Sequence, residues 1–221
     1  MTRVKRGVTA SKRRKIEAEK LLGEAKKLDK HNMLKDQIIM MKQQLKRIDL
    51  ALHPDLVFSE AEIGVWNVIL EQLKQEIPIQ YLLGTTSFYG LDFEVNAAVL
   101  IPRPETEEIV QWILESQKSK VESQKVKILD IGTGSGCIAI SLAKNLPDAT
   151  VFALDVSEEA LATAKKNAEN NSVNVTFIHQ NILEIEDLQQ QFDIIVSNPP
   201  YVRNLEKEEI KKNVLENEPH V

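Results

Sequence analysis

This chain is poor in the residues that make covalent cross-links or hold metals. Cysteine occurs once, at Cys137, so no disulfide can close within the chain, and the usage suits a reducing compartment. The four histidines, His31, His53, His179 and His220, are scattered without metal-ligand spacing, which gives no metal centre. No Ser/His/Asp set can be argued for nucleophilic catalysis. No run approaches the roughly 18 apolar residues of a membrane span, and no apolar signal core follows the basic N-terminus. No internal repeat is visible. The default expectation is a cytoplasmic monomer with no membrane partner.

What remains is an ordinary globular composition with an uneven charge. The 221 residues are 43% hydrophobic, enough for one good-sized domain with a small companion. The net charge of −5 hides two opposed segments. Residues 1–47 carry 15 Lys/Arg against 5 Asp/Glu, and residues 48–221 carry 13 against 28. Residues 1–15 hold seven basic side chains, no acidic ones and no aromatics. They read as a disordered arm, either with weak, salt-dependent affinity for RNA or as a solvated tail without a task. Over about fifteen residues the string resembles the start of the bacterial large-subunit ribosomal protein family L-twenty.

Apolar spacing then predicts helices. Leu21, Ala25 and Leu28 make a short stripe, and Leu34, Ile38, Met41, Leu45, Ile48 and Leu52 a longer one. These read as core. A further helix runs from the N-cap Ser59 to about Glu76, striped by Ile63, Trp66, Ile69, Leu70, Leu73 and Ile77 and stopped by Pro78. Residues 16–77 therefore form a small helical domain. In the connector, 78–103, β-prone runs at 87–89 and 92–95 flank Gly90 as a hairpin. From 104 to 221 the pattern becomes α/β. A helix spans 104–117, strands 126–131, 150–154, 173–178 and 192–197, and helices 136–145, 157–170 and 206–215. Such alternation gives a doubly wound, Rossmann-like parallel sheet.

Two constellations carry chemistry. Asp130-Ile131-Gly132-Thr133-Gly134-Ser135-Gly136 sits where a strand hands over to a helix. Glycines turn sharply and leave room for a ligand, and free N–H groups at a helix start can meet an anion. A dinucleotide fingerprint would want its last glycine where Cys137 stands. Asp155, ending the next strand, can accept both hydroxyls of a ribose. Strand, GxGxG, helix, strand and Asp in that order are the pattern of S-adenosylmethionine enzymes, in which Asp130, Gly132, Thr133, Gly134, Ser135, Gly136 and Asp155 would serve the cofactor. The second constellation is Asn198-Pro199-Pro200-Tyr201, directly after a buried strand. An amide or aromatic –NH2 has a delocalised lone pair and is a poor nucleophile. The Asn198 side-chain oxygen and the Pro199 carbonyl can accept its two hydrogens, and Tyr201 offers a flat surface. These residues suit methylation of a planar –NH2 nitrogen, most of it by positioning.

At these residues a family becomes recognisable. Residues 47–221 resemble the bacterial peptide-chain release-factor glutamine N5-methyltransferases. The matching stretches are Arg47-Ile48-Asp49-Leu50, Pro78-Ile79-Gln80-Tyr81-Leu82-Leu83-Gly84, Phe88-Tyr89-Gly90, Ile101-Pro102-Arg103-Pro104-Glu105-Thr106-Glu107, the glycine loop and Asn198-Pro199-Pro200-Tyr201. The resemblance implies S-adenosyl-L-methionine as cofactor and the Gly-Gly-Gln glutamine of class-1 release factors as acceptor. It implies that Asn198 and Pro199, with Pro200 and Tyr201 beside them, bind that glutamine, while Phe88, Arg103 and Pro104 wall its pocket. Three departures stand out. The place near the adenine, often an acid, is Asn181, which can still hydrogen-bond. The first forty-odd residues do not read as the family's N-terminal helical domain. The chain stops at Val221, where family members continue.

In the fold that the resemblance implies, strands lie in the order 3-2-1-4-5-7-6, and only strands one to four can be placed. Strand 192–197 would then become a sheet edge, and the expectation is a marginally stable chain with weak or no turnover. Two other functions stay open: a methyltransferase acting on adenine N6 or a related base amine, and a non-catalytic fragment with an RNA-binding arm. The excess of acidic residues beyond position 47 speaks against nucleic acid.

Overall fold

The computed structural model describes residues 60–118 and 125–199. The expected helices before residue 60, the basic arm, the helix 206–215, Pro200 and Tyr201 lie outside the described residues. The chain divides into two units, Met1–Leu83 and Gly84–Val221.

In the first unit the 60–74 stretch forms α1 (Glu60–Lys74), with Ile63, Ile69 and Leu70 buried. These are the apolar positions that the helical spacing picks out. A short helix, α2 (Ile79–Leu83), follows Pro78.

The second unit opens with a two-stranded hairpin, β1 (Thr85–Phe88) and β2 (Leu91–Glu94), antiparallel with Phe88 opposite Leu91. Tyr89 and Gly90 form its two-residue turn, both with positive φ (49° and 74°). That is the type I′ geometry whose twist matches paired strands. Tyr89 adopts it at some cost as a non-glycine residue, and two bonds to the next helix hold it there. Its N–H donates to Glu107 Oε1 (2.8 Å) and its hydroxyl to Gln111 Oε1 (2.6 Å). The helix concerned, α3 (Glu107–Gln117), is entered through a 3-10 turn at Pro104–Thr106. Pro104 suits that turn because a first-turn residue needs no N–H partner.

The parallel sheet contains β3 (Lys127–Ile131), β4 (Thr150–Asp155), β5 (Thr176–His179) and β6 (Ile194–Ser197) in the spatial order β5-β4-β3-β6. This is the 3-2-1-4 half of the expected order. The helices α4 (Cys137–Asn145) and α5 (Glu158–Asn170) connect β3 to β4 and β4 to β5. Strand β5 begins at Thr176 instead of Val173, because the Val173 amide closes the end of α5 on Ala168 O. Strand β6 begins at Ile194, and Phe192 just before it packs edge-to-face on Phe152, their centroids 5.3 Å apart.

Alternation along the strands divides the core in two. Ile128, Val151, Ala153 and Val196 pack with Val110 of α3, Ile138, Ala139, Ile140 and Leu142 of α4, Ala168 of α5 and the hairpin aromatics Phe88 and Phe93. On the opposite face Leu129, Phe152 and Leu154 are covered by Ile182, Ile185, Leu188 and Phe192. Among the described residues, then, that face is covered by an irregular segment and not by a helix. Phe88 and Phe93 meet edge-to-face at 6.1 Å and are each 1% exposed. Burying each contributes roughly 1.5–3 kcal/mol, so the hairpin is core and not an appendage.

Candidate functional site

The C-terminal ends of β3, β4 and β6 bring the predicted residues to one edge of the sheet. Ile131 pairs with Leu154 on one side and Ser197 on the other. The glycine loop, Asp155 and Asn198 therefore follow from three adjacent strand ends, where open α/β sheets place their ligands.

Three glycines of the loop have positive φ: Gly132 (71°), Gly134 (54°) and Gly136 (81°). They serve different needs. A Cβ on Gly132 or Gly134 would meet nothing within 4 Å, so both leave an open approach. A Cβ on Gly136 would lie 2.8 Å from Ile140 Cδ1 and 3.1 Å from Ala164 Cβ. Gly136 is thus required where α4 and α5 close on each other.

The loop amides differ from expectation. Gly132 and Thr133 both donate to Leu154 O (2.8 and 3.1 Å), Gly136 donates to Thr133 O (2.8 Å), and Gly134 donates to Asp155 Oδ2 (2.8 Å). These four N–H groups are used inside the chain and are not a free anion cradle. Asp155 takes the Ser157 amide on its other oxygen (3.0 Å). Each carboxylate oxygen still has acceptor capacity for a hydroxyl.

Asp130 lies beneath the loop, 1% exposed. Its Oδ2 accepts the Thr133 hydroxyl (2.7 Å), while Oδ1 has no hydrogen-bond partner. Burial pushes its carboxyl up from 3.8 to about 6, against the Thr133 hydroxyl and the Ala139 amide, with a smaller push from Asp155. Ser135 is buried and contributes its carbonyl to Asn167. Desolvation and then the Asp130 charge push the Cys137 thiol up to about 12. A thiol that stays protonated at neutral pH is no nucleophile.

Asn167 is the residue that sequence reasoning missed. It is 0% exposed. Its Oδ1 accepts the Glu94 amide (2.7 Å), and its Nδ2 donates to Glu94 O (3.0 Å) and Ser135 O (2.9 Å). One side chain thereby joins the hairpin, α5 and the glycine loop. A signal was present: Asn167 sits on the α5 stripe of Ala160, Leu161, Ala164 and Ala168, where an apolar residue belongs.

The acceptor-side residues are less uniformly placed. Asn198 is half-buried, and its Nδ2 donates to Thr106 Oγ1 (3.2 Å). Pro199 and Pro104 are exposed and Arg103 is half-buried. Phe88, expected to wall the pocket, is in the core and offers a ligand no accessible surface in this structure. It supports the region from beneath. Asn181 is occupied locally, its Nδ2 donating to Glu184 Oε1 (2.9 Å) and its Oδ1 accepting the Leu183 amide (3.1 Å).

Residues 111–220 match the model of the methyltransferase small domain, and residues 9–84 match that of the PrmC N-terminal domain. The second match corrects the reading that the first forty-odd residues depart from the family, since it reaches back to residue 9. The release factor glutamine methyltransferase of Flavobacterium psychrophilum is 64% identical over 178 residues, 80% of this chain and 62% of the relative. That of Bacteroides thetaiotaomicron is 47% identical over 175 residues, 79% of this chain and 61% of the relative. Among solved structures, the Pyrococcus abyssi tRNA (uracil-54, C5)-methyltransferase in complex with S-adenosyl-L-homocysteine is 21% identical, with a TM-score of 0.42 over 60% of this chain and 30% of that one. A SAM-dependent methyltransferase from Agrobacterium tumefaciens is 22% identical, also with a TM-score of 0.42, over 52% of this chain and 39% of that one.

The strand order and the glycine loop define a Rossmann-like methyltransferase domain. Within that class the chain belongs to the release factor glutamine methyltransferase family. It spans about three fifths of the length of these two relatives, 62% and 61%. Among the described residues no helix is long and apolar enough to cross a membrane.

Proposed function

We propose that this chain carries the S-adenosylmethionine-dependent N5-methylation of a protein glutamine, the glutamine of the Gly-Gly-Gln loop in class-1 release factors. The observation that carries the reading is Asn198, set at the end of β6 beside the glycine loop with its Nδ2 bonded to Thr106. That bond leaves Oδ1 as an acceptor for an incoming –NH2 group. The two relatives are release factor glutamine methyltransferases, which supports a release-factor glutamine as the acceptor.

The residues present fit the cofactor. Asp155 keeps acceptor capacity for ribose hydroxyls, Gly132 and Gly134 leave the approach open, and Asp130 supports the loop from beneath through Thr133. With Thr133, Ser135 and Gly136 shaping the loop, and Asn181 available for a base edge by rearranging locally, these residues would hold it. S-adenosylmethionine supplies an electrophilic methyl group when bound. The chain's own work is positional. Asn198 Oδ1 and the Pro199 carbonyl accept the two amide hydrogens and fix the nitrogen's lone pair, while Pro200, Tyr201, Arg103 and Pro104 shape the acceptor's surroundings. Positioning of this kind can supply about 7–11 kcal/mol. The reading also takes the chain as a cytoplasmic monomer, with residues 1–15 giving at most weak RNA contact.

The test offers tritium-labelled S-adenosylmethionine with a release factor, DNA and RNA in parallel. Label should appear on the release-factor glutamine. Label on nucleic acid, or on no acceptor at all, would overturn the reading.

A further inference from the structure

We propose that Thr106 is a positioning residue that anchors the Asn198 side chain beside the substrate. The inference rests on the reading of Asn198 as the residue that binds the acceptor amide. The two ends of an asparagine side chain are nearly the same shape and opposite in function, since one accepts and the other donates. Only the oxygen can receive a hydrogen from a glutamine –NH2. A flipped Asn198 would present its own –NH2 group and repel the acceptor.

The fold provides an anchor for the nitrogen end. Thr106 Oγ1 accepts from Asn198 Nδ2 at 3.2 Å, across 92 residues of sequence. Thr106 is 7% exposed, and its backbone is fixed by an N–H bond to Arg103 O (3.0 Å). It is the last residue of the 3-10 turn that runs into α3, with helical φ and ψ (−70° and −19°), and its hydroxyl makes no cap bond to that helix. The same turn explains why a Pro-Glu-Thr segment far from β6 in sequence belongs to the site: Pro104 sets the turn, and the turn sets Thr106.

The experiment uses the full chain with Thr106→Val, which keeps the shape and removes the hydroxyl, and Thr106→Ser, which restores it. In an ¹⁵N–¹H spectrum the Asn198 side-chain pair is identified by its loss in Asn198→Ala. That pair should move toward the free-asparagine position in Thr106→Val and stay near its wild-type position in Thr106→Ser. In methyl transfer to a Gly-Gly-Gln peptide, Thr106→Val should lose about tenfold in kcat, the scale of one hydrogen bond, with cofactor affinity unchanged and Thr106→Ser within about threefold of wild type. An unmoved Asn198 pair, or wild-type kcat in Thr106→Val, would overturn the assignment. If wild type itself transferred no methyl group to glutamine, the functional reading would fail first and the positioning role with it. That outcome is distinct from an active wild type with an equally active Thr106→Val.

Discussion

The glycine loop and the end of β6 lie at the same edge of the sheet, yet the chain secures them differently. On the loop side Asp155 takes two backbone amides, Thr133 is bonded to Asp130, and Asn167 makes three hydrogen bonds without exposure. On the β6 side, among the described residues, Asn198 is held by the Thr106 hydroxyl and Pro199 is exposed. The donor half is built before any ligand arrives. The acceptor half has its orientation set and its remaining valences open. A protein acceptor brings its own backbone and can complete a half-made pocket, whereas a small cofactor cannot.

Four measurements would break or sharpen this contrast. The largest effect should come from Asn198→Ala, which removes the open acceptor. Methyl transfer should fall at least about a hundredfold, the range for losing a preorganised hydrogen-bonding group, while calorimetry finds cofactor affinity intact. Near-wild-type turnover would end the amide-clamp reading. Next, Asn167→Leu should cost roughly 3 kcal/mol by denaturant unfolding, because it strands the Glu94 and Ser135 backbone groups. A cost below about 1 kcal/mol would show that the loop side is not held as described.

The third concerns pH. The Asp130 carboxyl lies near 6 in the folded chain, against 3.8 for the free side chain. The unfolded chain therefore ionises first. The folded state is unpenalised below about 3.8 and loses stability as pH rises through about 6. Asp130→Asn, free of that titration, should match wild type near the acid end and exceed it by roughly 3 kcal/mol at pH 7.5. An advantage independent of pH would contradict the burial argument. The smallest effect is on binding: Asp155→Ala should weaken S-adenosylmethionine by somewhat more than tenfold, about 1.4 kcal/mol, as read by calorimetry. Unchanged affinity would remove Asp155 from the cofactor set.

Much of the donor half was legible in the sequence. The strand–glycine–helix–strand–Asp order needs only local periodicity, and Ser157 announces α5, where its hydroxyl does accept the Ala160 amide (3.2 Å). The strand order 3-2-1-4 followed from the family's fold. What could not be read were bonds between segments far apart. Glu107 looks like a first-turn helix acid, and nothing local says that it receives the hairpin amide of Tyr89. Phe88 carries the family's signature, but its spacing cannot tell a pocket wall from a core residue. Amide groups in a glycine loop look free until the partner strand supplies Leu154 O.

Asn167 also has a consequence for the order in which the chain folds. The β1–β2 hairpin closes through two residues, and such hairpins form in roughly 1–10 μs. Tyr89 ties it to α3 nearby, but its join to α5 and the glycine loop rests on a side chain 73 residues further on. Closing so long a loop comes late in a folding reaction, because its entropy must be lost before the contact rewards it. The Asn167 bonds are then expected to form after the rate-limiting barrier. Removing them should speed unfolding while leaving the refolding rate almost unchanged, so that a residue silent during folding governs how long the finished domain stays closed.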